Sequence, residues 1–190
     1  ITDRLLRWYL NRHAERMFSG SKVAYAPTAH ISTTPRASFV AVEQAVAALA
    51  RAKKPLMILG SQTAVAASNV QQVAAAVHKL GIPVYLSGMA RGMLGRDDRL
   101  QMRHARRNAL READCVVLAG VPCDFRLDYG KHIRRSATLI AANRSAKDAR
   151  LNRRPDVAVI GDVGLFLQAL AQADAVPTLR ADHWQTWITQ

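Results

Sequence analysis

Acidic side chains are scarce in this chain. Asp and Glu number 14 against 27 Lys and Arg in 190 residues, a formal net charge of +13 at pH 7. That balance points to an anionic partner, be it nucleotide phosphates, coenzyme A or nucleic acid, or else to an arginine-rich proteome with acidic neighbours outside this stretch. Aromatic residues are also few, at 6%. None interleaves with the basic positions, so the stacking platform that single-stranded nucleic acid needs is missing, and no nucleic-acid partner is expected. Only two cysteines occur, Cys115 and Cys123, with no CxxC pair, and the six histidines are scattered without metal-ligand spacing. No metal site is read from them, and a reducing, cytoplasmic setting is expected. No apolar run approaches the roughly 18 residues that a membrane-spanning helix requires. No leader pattern follows Ile1, and aromatic residues still arrive at Trp184 and Trp187; both ends read as cut from a longer protein. A G-x-S-x-G elbow is absent, and no catalytic residue is assigned. The full G-x-G-x-x-G fingerprint is absent too, which disfavours an ordinary dinucleotide dehydrogenase.

What is present is a repeated pattern. Three short apolar runs each end in a glycine-bearing turn: Leu56-Met57-Ile58-Leu59-Gly60, Val84-Tyr85-Leu86-Ser87-Gly88, and Cys115-Val116-Val117-Leu118-Ala119-Gly120. Four or five apolar residues without alternation predict a strand buried on both faces. Polar helical patterns separate the runs, which predicts an α/β fold: a parallel sheet with helices on both sides. Strands are expected at 55–59, 82–86, 114–119, 137–142 and 157–160. Helices are expected at 35–52, from about 64 or 68 to 79, at 102–111 and at 163–173. A further helix begins after Thr2 or Asp3 and stops at Gly20, and the stretch 21–36, with Pro27 and Pro35, reads as a linker or wrapping loop. Hydrophobic residues make up 49% of the chain, enough for a full core.

Ligands of such sheets bind beyond the carboxyl ends of the strands, where these glycines fall. Gly60-Ser61-Gln62 joins a strand to a helix, and its amides can approach a phosphate; a plain turn glycine is the competing reading. Ser87-Gly88-Met89-Ala90-Arg91-Gly92 is a loop in which Arg91, flanked by glycines, can clasp a phosphate, or it is a mobile surface loop. After the third run, Asp124 can accept from ribose hydroxyls and Arg126 can meet a phosphate, or the two brace their own loop. Asp162, before Val163, is well placed as a helix N-cap. The densest basic stretch runs from Arg91 through Arg96, Arg99, Arg103, Arg106 and Arg107 to Arg111, and reads in part as a solvated helix face or a domain-docking surface.

Taken in order, these segments resemble the central domain of thiamine-diphosphate-dependent (ThDP-dependent) enzymes, over roughly residues 45–170. The tracts "LLRWYLNRHAERMFSG", "RAKKPLMILGSQ", "GMARGMLGR", "VLAGVPCDFRLDYG" and "IAANR" are most similar to the acetolactate-synthase-like, 2-hydroxyacyl-CoA lyase branch. The resemblance implies a three-layer, Rossmann-like domain of the DHS-like NAD/FAD-binding type, with five or six parallel strands. It implies residues 1–36 as a linker helix and loop, 37–175 as the central domain, and 176–190 as the start of a second linker. It also implies a parent lyase or carboligase that assembles as a homo-oligomer. There the flanking domains carry the activating glutamate and the G-D-G…N-N motif for ThDP and Mg²⁺, which this chain does not bind.

In that family the central domain holds FAD without redox chemistry, or ADP or the nucleotide end of coenzyme A. Carried over by motif, the contacts are Gly60, Ser61, Gln62, Ser87, Gly88, Met89, Gly120, Asp124, Arg126, Asp162 and Val163. Two departures bear on the ligand. Pro122 stands where the flavin-binding pattern has an arginine, and the family's I-D-I-D reads here as Ala142-Asn143-Arg144-Ser145. Asn143 replaces the usual acceptor for ribose hydroxyls only in part, and Arg144 adds positive charge. ADP or coenzyme A is therefore expected ahead of FAD. The competing reading, resting on charge and turn glycines alone, is a free-standing basic module for nucleotides or nucleic acid.

Overall fold

A computed structural model describes residues 3–23 and 33–173. The chain divides into two compact units, 1–33 and 34–190. In the first, Asp3 caps helix α1 (Arg4–Met17) by accepting from Leu5 N at 2.8 Å and Leu6 N at 3.3 Å. That satisfies two of the amides a helix start leaves unpaired. α1 buries no residue; Trp8, Tyr9 and Phe18 are 60%, 58% and 64% exposed. Most of the expected linker, and Trp184 and Trp187, lie outside the described residues.

The second unit is built on five parallel strands: β1 (Pro55–Leu59), β2 (Val84–Leu86), β3 (Cys115–Ala119), β4 (Thr138–Asn143) and β5 (Val157–Ile160). Their order across the sheet is β2-β1-β3-β4-β5. Each pair is parallel, with Met57 opposite Val84, Pro55 opposite Cys115, Cys115 opposite Thr138, and Ile140 opposite Val157. Every residue of β1 and β3 is buried, as expected where both faces of a parallel sheet are covered.

Alternate strand residues serve two cores. One face, with Met57, Leu59, Val117, Ile140 and Val159, packs under helices α2 (Phe39–Ala50), α3 (Val70–Leu80) and α6 (Val163–Gln172). The other face, with Leu56, Ile58, Tyr85, Val116, Leu118 and Leu139, packs under α4 (Arg106–Glu112) and the segment around Leu127 and Ile133. α6 presents Val163, Phe166, Leu167 and Leu170 inward. Phe166 is 1% exposed; burying such a ring contributes about 1.5–3 kcal/mol, and truncating it to Ala costs about 3–5 kcal/mol. Ser38, Ser145 and Asp162 cap α2, the short α5 (Ala146–Ala149) and α6 through their side chains. Gly81 ends α3 in the left-handed conformation, which a glycine adopts without a Cβ clash.

Elements fall where the apolar pattern places them, with shifts at the ends. α2 starts at Phe39 rather than near Pro35, because Ser38 supplies the cap. α4 starts at Arg106 rather than near 102, because the chain before it runs along the edge of β2. There Val84 N donates to Leu100 O and Met102 N to Val84 O, both at 2.8 Å. At the amino edge, Asp114 accepts from Lys53 N and Lys54 N at 2.8 and 2.9 Å, and Asp156 accepts from Leu139 N at 2.7 Å. Carboxylates are thereby committed to the backbone. No helix of the described residues is long and apolar enough to cross a membrane.

Candidate functional site

The order of strands reverses between β1 and β3, where a crevice is expected at the carboxyl edge. Here the two loops close on each other. A Cβ at Gly60 would run into the Gly120 carbonyl oxygen and stand 2.7 Å from Val121 Cβ. A Cβ at Gly120 would stand 2.7 Å from Gln62 Cβ, and Gly120 has φ +73°. Gly60 is thus needed for closeness and Gly120 for both closeness and conformation. Gly60 N donates to Ala119 O and Gly120 N to Ala142 O, both at 2.8 Å, continuing the ladder past the strand ends.

From this seam a polar network runs along the edge. Gln62 Nε2 donates to Asn143 Oδ1 at 3.0 Å, and Arg144 N donates back to Gln62 Oε1 at 2.9 Å. Asn143 Oδ1 also accepts from Ser145 N at 2.9 Å. Arg144 Nη2 donates to Asp162 Oδ2 at 2.6 Å, while Asp162 Oδ1 caps α6 through Leu165 N at 3.0 Å. Asn143 is 1% exposed and its Nδ2 has no partner, a buried donor left over. Such a donor costs about 1–3 kcal/mol unless an acceptor reaches it.

The structure gathers Gly60, Ser61, Gln62, Gly120, Asn143, Arg144 and Asp162 on this edge. Ser61 Oγ accepts from Met89 N at 3.2 Å and sits against Gly88, which joins Ser87, Gly88 and Met89 to it. Val163, the first residue of α6, is fully buried in the core, so only its backbone can face a ligand. Asp124 and Arg126 engage each other: Arg126 Nη2 donates to Asp124 Oδ2 at 2.5 Å and Arg126 N to Asp124 Oδ1 at 3.0 Å. The Arg126 side-chain hydrogen bonds hold the Asp124 carboxyl below the usual carboxylate range, and the pairing raises Arg126. Arg91 stands apart, in a cleft of about 970 Å³ beside β2 together with Arg96, Arg103, Arg106 and Arg107. Sequence reasoning read those last four as a solvated face or docking surface. Arg103 precedes α4 while Arg106 and Arg107 begin it, so no helical spacing signals that they converge.

Among the described residues no three His, Cys, Asp or Glu side chains gather as metal ligands.

The sequence matches the family described as "Thiamine pyrophosphate enzyme, central domain" over residues 42–170. It is 40% identical over 188 residues to 2-hydroxyacyl-CoA lyase 2 of Bos taurus, covering 97% of this chain and 29% of that protein. It is 35% identical over 151 residues to the acetolactate synthase large subunit IlvG of Mycobacterium tuberculosis, covering 79% of this chain and 26% of that protein. The chain thus spans less than a third of the length of these relatives. Its fold is like that of benzoylformate decarboxylase from Polynucleobacter necessarius, with a TM-score of 0.60 at 18% identity, covering 79% of this chain and 30% of that one.

Proposed function

Since the chain belongs to the central-domain family of thiamine pyrophosphate enzymes, we propose that it is the middle part of a larger ThDP-dependent lyase or carboligase. The parent is of the 2-hydroxyacyl-CoA lyase or acetolactate synthase kind, with ThDP and Mg²⁺ held by its other domains. The observation that carries this reading is the match across residues 42–170, continuous through all five strand-and-turn units. The 40% identity to 2-hydroxyacyl-CoA lyase 2 over nearly the whole chain supports the lyase branch.

The role of this part is to hold a nucleotide at the carboxyl edge and to join its flanking domains in a homo-oligomer. ADP or coenzyme A suits the edge better than FAD. Pro122 supplies no guanidinium, Arg144 adds a cation, and the unpartnered Asn143 Nδ2 offers a donor rather than a carboxylate acceptor. The test is direct. The purified chain, given ThDP, Mg²⁺ and pyruvate or a 2-hydroxyacyl-CoA, turns nothing over, is colourless, and binds ADP or coenzyme A weakly. Turnover by the chain alone overturns the domain assignment; a yellow preparation with flavin absorbance overturns the ligand preference.

A further inference from the structure

The arginine cleft beside β2 is built rather than incidental. Arg103 Nη2 donates to the Arg96 carbonyl. Gln101, with its amide turned to satisfy both ends, donates to Gly95 O at 3.1 Å and accepts from Arg103 Nη2 at 2.9 Å. Arg106 Nη2 donates to Arg126 O at 2.8 Å. Two guanidinium groups are therefore positioned by the backbone, each with donors left over, since a guanidinium carries five. Among the described residues the side chains of Arg91, Arg96 and Arg107 make no hydrogen bond or ion pair, and no carboxylate lines the cleft. Three acids near it are engaged: Asp98 lies 2.6 Å from His78 Nε2 and accepts from Leu100 N at 2.9 Å, Asp124 holds Arg126, and Glu112, which lines the adjoining cavity, lies 3.6 Å from Lys54 Nζ. Five like charges around one concavity repel one another.

A second cavity of about 530 Å³ continues from the first past Tyr85; Leu56, Pro83, Met102 and Ala109 form its apolar wall, and Glu112 stands in its lining as well. The Tyr85 hydroxyl donates to His104 O at 2.5 Å, so it is spent on holding this wall. The concavity has a cationic half and a largely apolar half, each within the size range of small-molecule sites.

We propose that this cleft binds the di- or triphosphate group of a small molecule, with the adjoining apolar cavity receiving the rest of that molecule. The site lies off the carboxyl-edge network and does not rest on the family reading; charge and shape alone recognise the ligand. The arginines converge on one concavity instead of following a strip, and the one aromatic in the lining, Tyr85, is 7% exposed. A nucleic-acid strand would need exposed stacking faces and a continuous basic track.

Titration calorimetry of the chain with inorganic pyrophosphate and with tripolyphosphate tests the proposal. Both bind saturably below about 1 mM, and the tripolyphosphate binds more tightly. The double variant Arg96→Gln/Arg107→Gln weakens binding at least about tenfold, because each well-formed charge-assisted contact is worth about that much or more. Neither side chain holds any part of the fold, and an unchanged circular-dichroism melt confirms it. The control Arg134→Gln/Arg135→Gln removes the same charge outside the cleft and changes affinity less than about twofold. Absence of saturable binding, or equal losses in the two doubles, overturns the proposal. Tighter binding of a single-stranded oligothymidylate than of tripolyphosphate overturns it in favour of a nucleic-acid surface.

Discussion

Gln62 and Asn143 lie 81 positions apart in the chain, and one hydrogen bond of 3.0 Å between their amides spans the end of β3. With the return bond from Arg144 N at 2.9 Å, it ties the loop after β1 to the end of β4. Gln62→Ala removes both bonds and leaves Arg144 N without that partner. The expected cost is about 1–3 kcal/mol. Gln62→Glu keeps an acceptor for Arg144 N but sets a carboxylate against Asn143 Oδ1, and is also destabilised. Urea midpoints of the two variants against the parent check this; wild-type values for both would show that the network carries no stability.

Gly120→Ala tests the seam. The new methyl meets Gln62 Cβ at 2.7 Å and stands on a backbone with φ +73°. Left-handed strain and overpacking together cost about 2–5 kcal/mol, read as a lowered melting temperature.

Ala105 is a non-glycine residue at φ +54°, the turn that delivers Arg106 and Arg107 into α4. Ala105→Gly relieves the Cβ strain and pays back part of the gain in unfolded-chain entropy. The net is a stabilisation of about 0.5–1 kcal/mol, seen as a melting temperature about 2 °C higher. A lower melting temperature would contradict the backbone geometry at this turn.

Both cysteines are buried. Burial, the leading cause in each case, pushes the Cys115 thiol up from 9.0 to about 12 and Cys123 from 9.0 to about 11. Because the thiolate is the reactive form, neither thiol reacts quickly with an aromatic disulfide reagent at pH 8 until denaturant is added. The sign of the pH effect follows. A raised folded value favours the folded state below the unfolded thiol's pKa, and that contribution is lost as pH rises. Stability therefore declines from about pH 9 upward on this account, and a Cys115→Ala/Cys123→Ala variant lacks that part of the decline.

Asp124 behaves oppositely. Its carboxyl is held low, chiefly by Arg126 hydrogen bonds, so it stabilises the fold above the usual carboxylate pKa and stops doing so as pH falls through the lowered one. The Arg126 side chain is 44% exposed, so solvent screening keeps the effect under about 1 kcal/mol. Asp124→Asn shows a correspondingly shallower loss of stability below pH 4.

The strands were legible because each is an uninterrupted apolar run closed by a turn residue, and neither signal depends on distant parts of the chain. The cap at Asp162 was legible for the same reason. The seam was not. Gly60 and Gly120 read as turn glycines that contact a ligand, and no local pattern announces their mutual approach. Gln62 reads as a ligand contact; that its amide meets Asn143 is a pairing no local pattern announces. Ala105 is the clearest case: alanine is a strong helix former, and nothing in its neighbourhood forecasts a left-handed turn. The arginine cleft needed the edge pairing of 100–102 with β2 to fold Arg103 toward Arg96, which spacing along one helix does not reveal.

The strand order carries a kinetic consequence. β1 pairs with β2 across 27 positions (Met57 to Val84) and with β3 across 60 (Pro55 to Cys115). No strand can zip onto its neighbour through a tight hairpin; an intervening crossover must be laid down first. Loop closure is met before any pairing repays it, so assembly of this sheet is slow relative to helical proteins of similar size. While it waits, the wholly apolar strands β1 and β3 are open to other chains. A truncation that removes β3 splits the sheet into the pairs β2-β1 and β4-β5, and leaves β1 and β4 each with an open apolar edge instead of a smaller domain.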